Sequence, residues 1–228
     1  MSSSEPKLLL IETSGTIGRV GLGHDTTLLA EATLDRSRRN ARDLMPEVAR
    51  LTQEQQWKPS DYDAIAVSIG PGSYTGLRVG MMTAKTLAYT LQKPLICIPT
   101  FEVIALHSLE MHQQVEVVGD AQQDRVYVQR FGHGLQPITE LIIVTGSQWR
   151  ETITPDFVLT GPGLVVQQKL LPATAKLVEE DDWQPKLESL LQLAKVRYER
   201  KTFADTMTVE PLYLRASSAE EQWAAMGR

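Results

Sequence analysis

The sequence predicts an α/β protein of two lobes, and two observations carry that expectation. Residues 67–80 read VSIGPGSYTGLRVG, an apolar strand that enters a glycine-rich turn and passes straight into a helix. The same opening, a strand meander whose first strand ends in an acid, occurs near the start of the chain at Glu12 and again past its middle at Asp120. Strands alternating with helical patterns point to mixed sheets covered by helices, and a repeated opening points to a duplicated unit rather than one continuous sheet.

The elements follow in order. Residues 7–12 (KLLLIE) read as a buried strand closed by a turn at Thr13, Ser14 and Gly15. Residues 17–22 alternate around glycines, and His24-Asp25 turns into a third strand at 27–34. Ala41, Leu44, Met45, Val48, Ala49 and Leu51 recur at helical spacing, predicting an amphipathic helix over about 39–56 that Pro46 kinks or starts. A wholly apolar strand at 64–69 precedes the glycine turn. The helix after it, about 76–91, carries Gly76, Gly80, Ala84 and Ala88 on one ridge, because steps of four fall on one helix face. A strand at 95–98 and a helix at 101–110, capped by Thr100, complete the first lobe, residues 1–110. The second lobe, 111–205, repeats the scheme more briefly. Strands are expected at 115–119, 126–131, 141–144, 157–160 and 175–178, with a Gly132-His133-Gly134 turn and helices after Ser147, after Gly161-Pro162-Gly163 and after Pro185. Leu187, Leu190, Leu191 and Ala194 share one face of the last helix. Residues 206–228 read as a tail that packs back or frays.

Composition narrows the function classes. At 228 residues, 42% hydrophobic and 22% charged, the chain has an ordinary globular composition. No apolar run approaches a membrane span, MSSSEPK has no signal core, and the single cysteine, Cys97, sits in the apolar run PLICI, so cytoplasmic residence is expected. Net charge is −5, and the one dense basic cluster is Arg36, Arg38, Arg39 and Arg42. Because phosphate contacts dominate nucleic-acid affinity, direct and unaided nucleic-acid binding is disfavoured.

The glycine turn is not a nucleotide P-loop, since Leu77 and Arg78 stand where that motif needs lysine and a hydroxyl. Glu12 and Asp120 each end a first strand, and two carboxylates facing across a cleft would hold Mg²⁺ and orient phosphoryl groups. The hydroxyls of Thr13 and Ser14 would meet a phosphate there. Acids at strand ends that simply face solvent are the commoner arrangement. The histidines, His24, His107, His112 and His133, have no pair at a spacing of four, which leaves a zinc site without ligands. Gly72-Ser73-Tyr74-Thr75-Gly76 places its serine one position early for a nucleophile elbow.

IGPGSYTGLRVG followed by AKTLAY resembles the signature of the TsaB family, also called YeaZ. The likeness continues in LLLIETS, LMP, PLICIPTFEVIA, DAQQDRVYVQRF and VEPLYLR, and so covers nearly the whole chain. It implies an actin/hexokinase/Hsp70-like (ASKHA) fold of two lobes. It also implies a role in making N6-threonylcarbamoyladenosine at position 37 of tRNAs that read codons beginning with A. The transferase chemistry there belongs to a TsaD-type paralogue carrying a metal-binding HxxxH motif, which this chain lacks. The resemblance implies a non-catalytic partner that forms a heterodimer with the paralogue, is joined by a TsaE-type ATPase and also forms homodimers. ATP or ADP and a metal are expected in those partners rather than here, tRNA is met through the complex, and no membrane is involved. Metalloprotease and small-molecule kinase are the competing enzyme readings.

The resemblance places a vestigial nucleotide site at Glu12, Thr13, Ser14, Asp120, Gly161 and Gly163. It places the partner interface on the first two helices, at Arg42, Met45, Gly76, Gly80, Met81, Ala84 and Ala88, with the small residues giving close approach and Met45, Met81 and Met82 an adaptable apolar surface. The chain departs from the pattern at Glu12, where aspartate is commoner, at Asn40 for histidine, at Gln122 for arginine and at Arg125 for glutamate. These changes remove or reverse charge around the expected cleft and leave the partner role untouched.

Overall fold

The computed structural model describes residues 5–34 and 40–214. Its first part runs β1 (Lys7–Glu12), β2 (Arg19–His24), β3 (Thr27–Thr33), α1 (Asn40–Glu54), β4 (Ala64–Ser68), α2 (Tyr74–Leu91), β5 (Leu95–Ile98) and α3 (Thr100–Leu109). The second part runs β6 (Val115–Asp120), β7 (Arg125–Gly132), β8 (Gln136–Pro137), β9 (Ile142–Thr145), α4 (Gly146–Glu151), β10 (Val158–Thr160), α5 (Leu164–Gln167), β11 (Lys176–Leu177) and α6 (Leu187–Glu199).

The first sheet has the order β3-β2-β1-β4-β5, antiparallel through the meander and parallel from β1 to β4 and β5. Helices cover both faces of its centre, which is why LLLI of β1 and AIAV of β4 are unbroken apolar runs rather than alternating ones. Leu9, Ile11, Ile65 and Val67 face α1 and α2, meeting Leu44, Val48, Leu51, Met81, Ala84 and Ala88. Leu8, Leu10, Ala64 and Ala66 face the other way, onto Val103 of α3 and onto Leu187, Leu190, Leu191 and Ala194 of α6. The second sheet has the order β11-β10-β6-β7-β8, and β9 pairs with the first half of β7. Taken along β9, the order β9-β7-β6-β10-β11 repeats the first sheet strand for strand. The duplicated two-lobed α/β architecture of the ASKHA class is therefore present.

The structure differs from the sequence expectation in three places. Helix α6, expected in the second lobe, leaves it and closes the first sheet, so position 205 is not where the chain changes lobe. Its four apolar residues find a complementary apolar face there, already half built by α3. The crossing is held where Lys186 bonds Asp182 and His107 Nε2 lies 3.1 Å from Asp182 Oδ1. Thr100 does not cap α3; Pro99 is the capping position, and the Thr100 hydroxyl accepts the Gly70 amide at 3.1 Å. The cap of α4 is Thr145, two residues before Ser147, reciprocated by Gln148 in a capping box. Pro46 lies inside α1. Arg36, Arg38, Arg39 and the end of the tail, 215–228, lie outside the described residues, as does the side chain of Asn40.

Candidate functional site

Glu12 ends β1 with no exposure at all, and its carboxyl folds back on its own turn. Oε1 accepts the Ser14 amide at 2.7 Å and the Ser14 hydroxyl at 2.5 Å. Neither Oε2 nor the buried Ser68 hydroxyl at the end of β4 makes a hydrogen bond of ordinary geometry, although that hydroxyl lies close enough to the carboxyl to pull its pKa down. Burial raises the Glu12 pKa, against the opposing pull of the Ser14 and Ser68 hydroxyls and the Ser14 and Gly15 amides. The next two residues lock this turn to α2. The Thr13 hydroxyl donates to the Gly76 carbonyl at 2.7 Å, and the Ser73 amide donates to the Ser14 carbonyl at 2.8 Å.

Gly76 is required by that lock. A Cβ there would stand 2.0 Å from the Thr13 carbonyl oxygen, far inside contact distance. Gly80 meets the Thr13 hydroxyl in the same way. Beyond them Ala84 and Ala88 are 0% and 1% exposed, and Met81 is 2% exposed. The small-residue ridge of α2 therefore packs inward on β1 and β4. This corrects the expectation that Gly76, Gly80, Met81, Ala84 and Ala88 form a partner surface, because the first lobe spends their close approach on its own sheet.

The second lobe repeats the turn. Gly70-Pro71-Gly72 follows β4 and Gly161-Pro162-Gly163 follows β10, the equivalent strand. Gly70 and Gly161 share φ of +110°, a region that excludes other residues. Each second glycine lies against the first strand's end, Gly72 on Ser14 and Gly163 on Gly119 and Asp120. This repeated Gly-Pro-Gly is legible in the sequence once the lobes are aligned by strand order. Asp120 differs from Glu12: it is exposed, and its Oδ1 accepts the Gln122 amide at 2.7 Å. Gln122, Gln123 and Asp124 all take positive φ in the hairpin turn that follows.

The two carboxylates therefore do not form a facing pair. One is sealed under α2 and the other closes a surface turn, while Thr13 and Ser14 are occupied within the chain. As arranged, these residues do not fit a nucleotide phosphate or a bridging metal. Among the described residues there is no cluster of three or more His, Cys, Asp or Glu side chains placed to hold a metal ion. Nor is any helix among them long and apolar enough to cross a membrane.

The surface with chemical capacity lies on the outer side of α1 and α2. Met82 and Tyr89 of α2 are each 63% exposed, and Met45 of α1 is 44% exposed. Arg42 is exposed one turn before Met45. A groove of about 470 Å³ is lined by Met45, Val48, Thr52, Trp57, Tyr62 and Leu87, among others. Its floor is fixed by the hydrogen bond between the Thr52 and Tyr62 hydroxyls, and Lys7 Nζ sits 4.9 Å over the Trp57 ring. On the flank of α2, residues 204–214 form a strap. Lys85 Nζ bonds the Val209 carbonyl at 2.9 Å, the Leu212 amide bonds Ile69 O at 2.7 Å, and Arg78 Nε bonds the Tyr213 hydroxyl at 3.1 Å.

Comparison with known proteins gives a consistent set of likenesses. The family model described as TsaD, tRNA N6-adenosine threonylcarbamoyltransferase, matches residues 28–223. A Bacillus subtilis protein named tRNA threonylcarbamoyladenosine biosynthesis protein TsaB is 32% identical over 120 residues, which is 53% of this chain and 52% of that protein. A Haemophilus influenzae protein of the same name is 27% identical over 195 residues, 78% of this chain and 80% of that protein. This chain thus spans about half the Bacillus relative and four-fifths of the Haemophilus one. Among solved structures, an uncharacterized Pseudomonas aeruginosa protein with similarity to peptidase YEAZ superposes with a TM-score of 0.80 at 25% identity, covering 92% of this chain and 100% of that one.

Proposed function

The chain belongs to the TsaD, tRNA N6-adenosine threonylcarbamoyltransferase, family and within it to the TsaB/YeaZ group, and from that premise we propose that it serves tRNA threonylcarbamoyladenosine biosynthesis as a non-catalytic subunit. It pairs with a TsaD-type paralogue and activates it, and a TsaE-type ATPase joins the assembly. The observation that carries this reading is the outward face of α1 and α2, where Met82 and Tyr89 stand exposed on α2 and Met45 stands exposed on α1 at the edge of an apolar groove. Methionine and tyrosine suit such a role: one adapts its shape to either a paralogue or a second copy, and the other offers a broad rigid surface. The inward use of Glu12, Thr13 and Ser14 supports placing the chemistry on the partner.

The test is co-elution of the full chain with the TsaD-type paralogue of the same cell, together with recovery of tRNA modification after depletion of the gene. Met82→Asp should abolish both while leaving the circular dichroism spectrum unchanged. Threonylcarbamoylation by the paralogue at full rate without this chain would refute the activating role. Protein hydrolysis by the homogeneous chain that a chelator removes would favour the metalloprotease reading.

A further inference from the structure

Sulfur is placed unevenly on the first two helices. Met81 packs on the sheet under α2, while its neighbour Met82, and Met45 of α1, stand exposed on the outward face. A thioether needs no deprotonation to react with a peroxide, so among the methionines of one chain access decides which sulfur reacts. The single thiol of the chain does not compete for the oxidant. Burial pushes Cys97 up to about 11, which leaves little of the thiolate that reacts with peroxide at neutral pH. Reactive sulfur therefore stands where a partner needs apolar contact, and the sulfur beneath it is shielded. Met111 follows α3, the helix on the opposite face of the first sheet, and is as exposed as Met82. It supplies an internal reference. Oxidation changes an apolar contact sharply, because the flexible thioether becomes a polar, chiral sulfoxide. Pressed against an apolar partner, that oxygen loses its water without gaining a donor.

We propose that Met45 and Met82 are sites of reversible oxidation, and that their sulfoxides release the partner from the outward face of α1 and α2. The proposal rests on the reading of that face as the partner surface. In the forward step a sulfur lone pair attacks one oxygen of hydrogen peroxide. The S–O bond forms as the O–O bond breaks, and the sulfur gives up two electrons. The transferred hydroxyl passes its proton to the departing hydroxide, which leaves as water. In the reverse step a dithiol supplies two electrons and two protons and becomes a disulfide, and the sulfoxide oxygen leaves as water. Peroxide thereby lowers partner occupancy without unfolding the chain, because the altered atoms lie outside the core.

The first experiment needs no partner. The full chain is exposed to hydrogen peroxide, and the oxygen gained at each methionine is followed by fragment-resolved mass spectrometry. Met82 and Met45 should oxidise at rates within about threefold of Met111, and Met81 about tenfold or more slowly, with an unchanged circular dichroism spectrum. Met45 and Met82 that stay reduced as long as Met81 overturn the proposal. The second experiment oxidises the full chain, removes the peroxide and titrates the TsaD-type paralogue. Affinity about five- to tenfold below that of the reduced chain is expected, recovered after treatment with a methionine sulfoxide reductase and a dithiol. In the double variant Met45→Leu, Met82→Leu, compared only with its own untreated sample, peroxide should change the affinity by less than about twofold. Equal affinity of the oxidised and reduced wild-type chains overturns the proposal, as does a double variant that loses as much as the wild type. Failure of the partner reading is distinguishable, because Met82→Asp would then bind normally. A Met82→Asp chain that fails to bind, beside a sulfoxide that binds normally, overturns the oxidation proposal alone.

Discussion

Glu12 is the residue whose environment departs furthest from that of its type in water. Its carboxyl is fully buried, and burial favours the protonated form more than the contacts from Ser14, Ser68 and Gly15 favour the charged one, so its pKa is raised. Its folded pKa lies above its unfolded value of about 4.3. The stability it contributes is therefore complete below that unfolded pKa and is lost as pH rises through the folded one. Denaturant midpoints measured from pH 4.5 to pH 8 should fall over that window in the wild type and stay flatter in Glu12→Gln. The amide keeps an oxygen for Ser14 and supplies a donor on the side of the orphan Ser68 hydroxyl, so the variant should gain about 1–3 kcal/mol at pH 8. A variant less stable than wild type at pH 8 would mean that the carboxylate is ionised and satisfied. The position of Glu12 at a strand end was legible in the sequence, but the direction of its carboxyl was not. In a strand buried on both faces, alternation does not separate the side turned into the core from the side turned to a cleft.

Helix α2 has two apolar stripes, and the sequence reveals both without saying which faces the sheet. Spacing puts Gly76, Gly80, Ala84 and Ala88 on one ridge; it is Thr13, arriving from β1 at contact distance, that requires the small residues to be inside. The larger stripe, Met82 and Tyr89, is left outward. Two substitutions separate the stripes. Ala84→Arg buries a cation with no partner in the core and should leave the chain unfolded by circular dichroism. Met82→Asp, at 63% exposure, should change stability by no more than about 0.5 kcal/mol yet remove partner binding. Gly76→Ala adds only a methyl group, but against backbone rather than a movable side chain, and should cost about 3 kcal/mol or more in a denaturant titration. A normally folded Ala84→Arg chain would return the ridge to the surface.

Duplication organises the molecule, and the chain breaks it at one point. Both lobes open with a meander, place a Gly-Pro-Gly turn after the fourth strand and pack that turn on the end of the first. The repeated meander was legible in the sequence. The equivalence of the two turns was hidden because the helix after the first has 18 residues and the one after the second only four. The crossing of α6 was hidden for a different reason: an apolar helix face states that it will be buried, not against which sheet. In the structure α6 covers the first sheet, with Leu190 fully buried between Leu8, Leu10 and Ala66 in one cluster. The first lobe is consequently built from both ends of the chain, while the second forms from one continuous stretch. Leu190→Ala, expected to cost about 2–5 kcal/mol, should then speed amide exchange in β1 and β4, more than 120 residues away, together with α6 itself. Exchange in β6 and β7, whose core is formed by Val118, Val126, Trp149 and Leu159, should stay at wild-type rates at the same pH. If β6 and β7 lose protection instead, α6 belongs energetically to the second lobe and the chain changes lobe only at its tail. If every strand loses protection equally, the lobes unfold as one unit, and α3, which packs Val103 on the first sheet and Phe101 and Ile104 on the second, is the element that joins them.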